Sequence, residues 1–150
     1  RVSKRTRLEE CLLATGFPFR PEDDFNKYLR LMGDVMQRTA GLRRPGAAAL
    51  DLAYVAAGFS DGFFELGLKP WDMAAGALLI TEAGGLVGNF TGEANYLEHQ
   101  ECLAAAPRIY AQLVPIVQKY SKFASADDKQ VAAEAIKTLS VSRAAPDAPL

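Results

Sequence analysis

Two acidic residues, Glu65 and Asp72, occupy sequence positions at which a carboxylate can bind a ligand or a metal ion. Glu65 directly follows an aromatic pair that indicates a buried strand, and Asp72 opens a buried apolar helix that stops at a double glycine. In open α/β sheets, ligands collect beyond strand ends and beside helix N-termini. A helix N-terminus attracts phosphate, and a divalent cation lets a carboxylate share that position because both groups can ligate the cation. Asp72, a metal ion and a phosphate therefore form a physically coherent combination.

The same position also suits a purely structural role for Asp72. An acidic residue at a helix start caps free N–H groups, and such a cap is worth about 0.5–2 kcal/mol. One carboxylate does not complete a Mg²⁺ site, because Mg²⁺ prefers octahedral oxygen coordination. Glu65 and Asp61 are the other acids close by in the sequence. From these residues alone, capping and metal ligation both remain open.

Composition excludes several classes of function. The 150 residues carry a net charge of −1 with 49% hydrophobic residues, which gives no electrostatic argument for a nucleic-acid or membrane partner. No apolar run approaches the ~18 residues of a membrane-spanning helix. Cys11 and Cys102 are far apart in sequence and are predicted to be reduced core thiols, which is typical of a cytoplasmic protein. The lone His99 is predicted to be an exposed surface residue.

Alternating apolar segments predict a layered α/β domain with a mixed β-sheet flanked by helices. The expected strands lie at 11–15, 63–64, 86–90 and 102–106, with a connector or short strand at 41–44. The expected helices lie at 24–40, 46–57, 72–83 and from 107 onward. We predict that the domain spans 1–120 and that 121–150 form a tail, with a short helix at 127–139 and a disordered end at 142–150.

The stretch WDMAAGALLITEAGG at 71–85 resembles the C-terminal signature of the inositol monophosphatase family. The segment RRPGAAALDLAYVAAGFSDGFFELGLKPWD at 43–72 is similar to the bacterial branch of that family, and LLATGFPF at 12–19 is similar to the segment that enters this half. The resemblance covers about residues 8–120. It implies the C-terminal half of an αβαβα layered fold.

The resemblance also implies a chemistry. Members of the family are Mg²⁺-dependent, Li⁺-sensitive phosphomonoesterases, and the expected substrate is inositol 1-phosphate. The residue matching Asp72 ligates a metal and meets the substrate, and the residue matching Glu65 hydrogen-bonds a ring hydroxyl. The other implied substrate contacts are Arg43, Gly46, Ala47 and Ala48. Many members carry a hydroxyl residue where this chain has Ala47, so a side-chain contact to the substrate is lost there.

The family's acidic loop, D-P-[LI]-D-G-T, does not occur in this sequence, which also begins with Arg1 and not with Met. We therefore expect a C-terminal half with no catalytic residue beyond the metal ligand, inactive alone, from a parent protein that forms a homodimer. Two alternatives stay open. One is a role in ribosomal RNA transcription complexes, with contacts through the basic residues at 1–7 and 43–44. The other is a related phosphatase acting on a sugar or nucleotide phosphate.

Overall fold

The computed structural model describes residues 1–143, without the side chains of residues 132 and 139–143. Within this range, five strands form one sheet in the order β2-β1-β3-β5-β4. The strands are β1 (Leu12–Thr15), β2 (Gly41–Arg43), β3 (Gly62–Leu66), β4 (Leu86–Gly88) and β5 (Glu101–Ala105). β2, β1 and β3 are parallel, whereas β5 is antiparallel to both of its neighbours. The predicted mixed α/β sheet is confirmed.

Helices cover both faces of the sheet. They are α1 (Phe25–Met36), α2 (Ala48–Ala57), α3 (Pro70–Glu82), α4 (Tyr96–His99), α5 (Pro107–Gln118) and α6 (Ala126–Arg143). Successive strand side chains point to opposite faces. Phe63 packs in the core that includes α2 and α3, and Phe64 packs in the core that includes α1 and α5. The sheet is therefore the middle layer between these two sets of helices.

Local signals fix several helix ends. Asp24 caps α1, because its Oδ1 accepts a hydrogen bond from the Lys27 amide at 2.9 Å. Gly58 ends α2 in the left-handed conformation, with φ of 80°. The predicted end of α1 at residues 40–41 is wrong. Gly41 does not end the helix but starts β2, where it pairs with Leu12, and the chain between Met36 and Gly41 has to turn into that strand.

α3 is buried along one side only. Its inner side carries Met73, Gly76 and Ile80, all buried. The prediction of a buried helix holds for that side, whereas Trp71 is 78% exposed beside Asp72. Gly76 faces α2 so closely that a Cβ atom there would lie 2.5 Å from the Cβ of Leu52. This close approach fixes the position of α3, and with it the position of Asp72.

The chain after residue 120 forms α6, which is longer than the helix predicted at 127–139. Its Ile136 is 8% exposed and belongs to the same buried cluster as Ile116 of α5. Of the end predicted to be disordered, Ser142 and Arg143 complete α6, and residues 144–150 lie outside the described residues. The domain boundary near residue 120 stays a prediction.

Two further predictions concern the whole chain. Cys11 and Cys102 are both free and buried, as expected, and burial raises the pKa of the Cys11 thiol to about 12, so that it stays protonated and unreactive at neutral pH. Across residues 1–143, no helix is long and apolar enough to cross a bilayer.

Candidate functional site

The ends of β1, β2 and β3 meet the N-termini of α2 and α3 around a cavity of about 230 Å³. β1 continues into Gly16 and Phe17, β2 continues into Arg44, and β3 presents Glu65 near its end. Asp72 lies in the first turn of α3. The place is the one that open α/β sheets use for ligands, since strand ends and helix N-termini converge there.

The structure brings together five of the six predicted binding residues. Gly46, Ala47, Ala48, Glu65 and Asp72 all line the cavity, although they come from three separate elements. Their function in binding stays a prediction.

Arg43 is the exception. Its side chain is exposed, it is not among the lining residues, and its Nη1 donates to the Leu42 carbonyl at 2.9 Å. The neighbouring Arg44 lines the cavity instead. The reason is local, because successive side chains of an extended segment leave it on opposite sides.

Asp72 does act as a cap. Its Oδ2 accepts a hydrogen bond from the Lys69 amide at 2.9 Å, which satisfies one backbone N–H group at the N-terminus of α3. The bond occupies one carboxylate oxygen and leaves the other for a cation. Among the described residues, no group of three or more Asp, Glu, His or Cys side chains is arranged to hold a metal ion. Asp72 therefore fits Mg²⁺ as one ligand, and the remaining oxygens would have to come from water, from the phosphate or from other residues.

Asp61, the third acid considered from the sequence, belongs to a structural contact. It is 6% exposed, its Oδ2 accepts a hydrogen bond from the Leu12 amide at 2.7 Å, and its Oδ1 lies 3.3 Å from Arg5 Nε. Asp61 thus ties the N-terminal segment to β1 and does not line the cavity.

Glu65 is half-buried against Gly16. A Cβ atom at position 16 would overlap the Glu65 carboxylate, so glycine is required where the two strands end side by side. Burial, together with the carboxylates of Asp51 and Asp72, raises the pKa of Glu65 to about 7, although Arg44 and Arg20 oppose the shift. Glu65 is therefore close to half-protonated at neutral pH and can donate or accept a hydrogen bond.

Asp51 and Arg44 are charged cavity residues that were not among the predicted substrate contacts. Asp51 is 1% exposed, and no described residue gives its Oδ1 a hydrogen bond. Burial raises the pKa of Asp51 to about 6, which Arg44 partly opposes. The signal available in the sequence was that Asp51 is the single charged residue of the otherwise apolar α2.

The surface assignment of His99 is wrong. The ring is half-buried and stacks on Phe123, with ring centroids 3.5 Å apart. Its two nitrogens lie 2.9 Å from the Asn89 side-chain amide and 3.1 Å from that of Asn95. His99 therefore has a packing role outside the candidate cavity.

Known proteins resemble this chain in sequence. The inositol monophosphatase family model matches residues 1–122. The Pseudomonas aeruginosa protein named Nus factor SuhB is 51% identical over 122 residues, covering 80% of this chain and 45% of the relative. A putative Nus factor SuhB of Neisseria meningitidis is 49% identical over 120 residues, covering 80% of this chain and 46% of the relative.

Solved structures of related proteins share the fold of this chain. The SuhB crystal structure from Bartonella henselae has a TM-score of 0.74 at 45% identity and covers 78% of this chain and 45% of that one. The inositol monophosphatase from Anabaena (Nostoc) has a TM-score of 0.71 at 34% identity, with coverage of 79% and 47%. The chain thus spans slightly less than half the length of these relatives. On its sequence and its fold, the chain belongs to the inositol monophosphatase family.

Proposed function

We propose that this chain supplies the Asp72 side of a Mg²⁺-dependent phosphomonoesterase that hydrolyses inositol 1-phosphate to inositol and phosphate. The observation that supports the proposal is the convergence of Gly46, Ala47, Ala48, Glu65 and Asp72 on one cavity. Sequence resemblance implies the same residues as substrate and metal contacts, independently of their positions in the fold. The proposal concerns the whole protein, since the chain spans less than half of its relatives.

Asp72, the N-terminus of α2 and Glu65 would each contribute differently to this reaction. The oxygen of Asp72 that does not cap α3 would hold the cation, which when bound activates water and stabilises charge on the phosphate. The N-terminus of α2, preceded by Gly46 and Ala47, presents free backbone N–H groups to the phosphate. Because Ala47 has no hydroxyl group, backbone contacts carry recognition there. Glu65 would hydrogen-bond a substrate hydroxyl.

A chimera tests the proposal. Residues 1–122 of this chain would replace the matching part of the Pseudomonas aeruginosa relative, and phosphate release from inositol 1-phosphate would be followed with Mg²⁺ present. Asp72→Asn should lower kcat/KM by about 100-fold or more, since a catalytic metal supplies several kcal/mol of transition-state stabilisation. Glu93→Gln, which changes an exposed acid away from the cavity, is the matched control. Normal turnover by the Asp72→Asn chimera would contradict the ligand assignment.

The 150-residue chain alone should release no phosphate, because one carboxylate is not a complete Mg²⁺ site. Robust Mg²⁺-dependent release by the chain would refute this expectation. The proposal extends to inhibition of the chimera by Li⁺, a homodimeric whole protein and a cytoplasmic location. A substrate panel of inositol, sugar and nucleotide monophosphates, given to the chimera, separates the proposed substrate from the related ones.

A second candidate function is favoured by the names of the relatives. Several of them are named Nus factors, and we propose contact with a ribosomal RNA transcription complex as the alternative role of the whole protein. The basic N-terminal segment is partly engaged within the chain, since Arg5 pairs with Asp61 and Arg7 pairs with Glu9. Salt-sensitive co-purification of transcription factors or RNA that Asp72→Asn does not alter would support this role. Loss of co-purification in that variant would count against a separate surface.

A further inference from the structure

A second cavity, of about 250 Å³, shares a wall with the cavity that holds Asp72. Glu65 lines both of them. The other walls of the second cavity come from α1, from the start of β5 and from the segment after α5, which contribute Lys27, Glu101 and Lys122. Asp72 and the residues at the N-terminus of α2 do not line it. The second cavity is therefore a separate compartment, and Glu65 is the one side chain of the proposed reaction that borders it.

Three acids of the second cavity are already engaged by N–H or O–H groups. Asp24 Oδ1 accepts a hydrogen bond from the Lys27 amide at 2.9 Å, and Asp23 Oδ2 accepts from two backbone amides at 3.0 Å. Glu101 is 2% exposed, and both of its oxygens accept hydrogen bonds, one of them from the Lys122 amide at 3.1 Å. None of the three acids forms an ion pair with a described residue. They therefore leave the lysine ammonium groups of the same cavity without a counter-ion.

Lys27 and Lys122 carry these unpaired charges. Neither ammonium group forms an ion pair with a described residue. Lys27 is half-buried. Burial lowers its pKa below the usual value, Glu101 opposes this shift, and the charge of Lys122 adds to it. An ammonium group that is withdrawn from water beside a like charge is stabilised by a bound anion. The two lysines therefore suit a ligand that carries two negative charges.

The other charged residues of the second cavity leave this character unchanged. Arg20 is occupied, since its Nη1 donates to the Gly67 carbonyl, whereas Lys69 adds a further positive charge. Glu22 is exposed, so that solvent and salt screen its charge. Glu65, with a pKa of about 7, carries only part of its charge at neutral pH. An anion in this cavity therefore meets the two lysines as its main charged contacts.

Gln100 lies in the wall of the second cavity in a backbone conformation that disfavours a side chain. Its φ is 57°, in the left-handed region, and it is the single non-glycine residue with positive φ among the described residues. It ends α4, at a position where glycine is usual. Strained residues are typical of sites where the side chain contacts a ligand. The side-chain amide of Gln100 supplies N–H donors that an anion can accept.

We propose that the second cavity binds a small dianion, of the phosphate-ester or dicarboxylate class, through the ammonium groups of Lys27 and Lys122 and the side-chain amide of Gln100. Both classes place two negative charges on oxygen atoms, and such atoms accept charge-assisted hydrogen bonds from ammonium groups. The inference does not rest on the proposed function, because Asp72 and the N-terminus of α2 line the other cavity.

The test is titration of the 150-residue chain with succinate and, separately, with inorganic phosphate, at neutral pH and constant ionic strength without Mg²⁺. NMR of the lysine Cε–H and glutamine side-chain N–H signals reports where each probe binds. Lys27→Gln and Lys122→Gln should each weaken binding by about fivefold or more, as expected for loss of a charge-assisted contact. Lys27→Arg, which keeps the charge, should retain most of the affinity. Lys4→Gln removes an exposed lysine that lines neither cavity, and this matched control should change the affinity less than about twofold.

Gln100 gives a second, independent readout. Gln100→Gly should weaken binding of the dianion while it raises the melting temperature, because glycine adopts φ of 57° without strain. A purely structural role for Gln100 would leave the affinity unchanged, and that result would contradict its part in the site.

The two probes also identify the class of ligand, since binding of one and not of the other would support the site and select between phosphate esters and dicarboxylates. Three results would overturn the inference. They are no binding of either probe up to about 10 mM, unchanged affinity in both Lys27→Gln and Lys122→Gln, or a larger loss in Asp72→Asn than in either lysine variant. The last result would place the anion in the cavity of Asp72 instead.

Discussion

The contact between α2 and α3 makes a quantitative prediction about stability. A Cβ atom at Gly76 would lie 2.5 Å from the Cβ and 2.8 Å from the Cδ1 of Leu52. Leu52 is fully buried, and its Cβ is fixed to the backbone of α2, so the two helices must move apart. Overpacking of this kind costs about 1–3 kcal/mol. Alanine regains about 1 kcal/mol of helix propensity over glycine. We expect Gly76→Ala to lower the free energy of unfolding by up to about 2 kcal/mol, and not to raise it.

Gly33→Ala is the matched control, because Gly33 lies inside α1 and a Cβ there meets nothing within 4 Å. The same propensity gain should then stabilise the protein by about 1 kcal/mol. Urea unfolding of both variants, followed by far-ultraviolet circular dichroism, compares the two changes directly. If Gly76→Ala stabilises the protein as much as Gly33→Ala does, the packing argument for the position of α3 is wrong.

Two further predictions concern charged groups away from the candidate site. Burial alone would raise the pKa of Asp34, but hydrogen bonds from Lys119 and Tyr120 lower this pKa below its usual value. The contribution of Asp34 to stability is therefore present above about pH 4 and is lost as the pH falls further. Asp34→Asn should therefore destabilise the protein at pH 7, and the difference from the unmodified chain should shrink in urea unfolding at pH 3; an undiminished difference would contradict the linkage. Glu101 is 2% exposed and accepts a hydrogen bond from Ser121 Oγ at 2.8 Å. Glu101→Gln should therefore lower the free energy of unfolding by about 1–3 kcal/mol. An unchanged urea midpoint would show that the hydrogen bond contributes nothing to stability.

The sequence predicted the elements whose signals are local. Apolar runs at 63–64 and 102–106 predicted the strands that the structure places at 62–66 and 101–105. The predicted helices at 24–40 and 46–57 start at Asp24 and stop before Gly58, the residues that cap α1 and α2. β2 was only one of two possibilities, because three residues carry too little pattern to distinguish a strand from a connector. Its identity depends on pairing with β1, a contact between residues far apart in the chain. The end of α1 was placed too late for the same reason.

The residues of the candidate site also fall into two groups, those that the local sequence predicted and those that only the fold reveals. Glu65 and Asp72 were found because each has a marked local setting, a strand end and a helix start. Asp51 resembled an ordinary acid in the first turn of a helix, and only the fold shows that its carboxyl group is buried beside a cavity. Arg43 and Arg44 are adjacent and identical in type, so the direction in which each points could not be predicted without the strand register. Burial and side-chain direction are properties of the packed sheet and not of the residue.

The fluorescence of Trp71 should report association of a partner with this chain but not unfolding of the chain. It is the single tryptophan of the sequence, it is 78% exposed, and it precedes Asp72 at the start of α3. Because the indole already meets water in the folded chain, unfolding should change its emission little. A protein segment that covered the start of α3 would move the indole into an apolar setting and shift its emission to shorter wavelength. Tryptophan fluorescence of this chain should therefore respond to association at the mouth of the cavity and remain almost silent to folding.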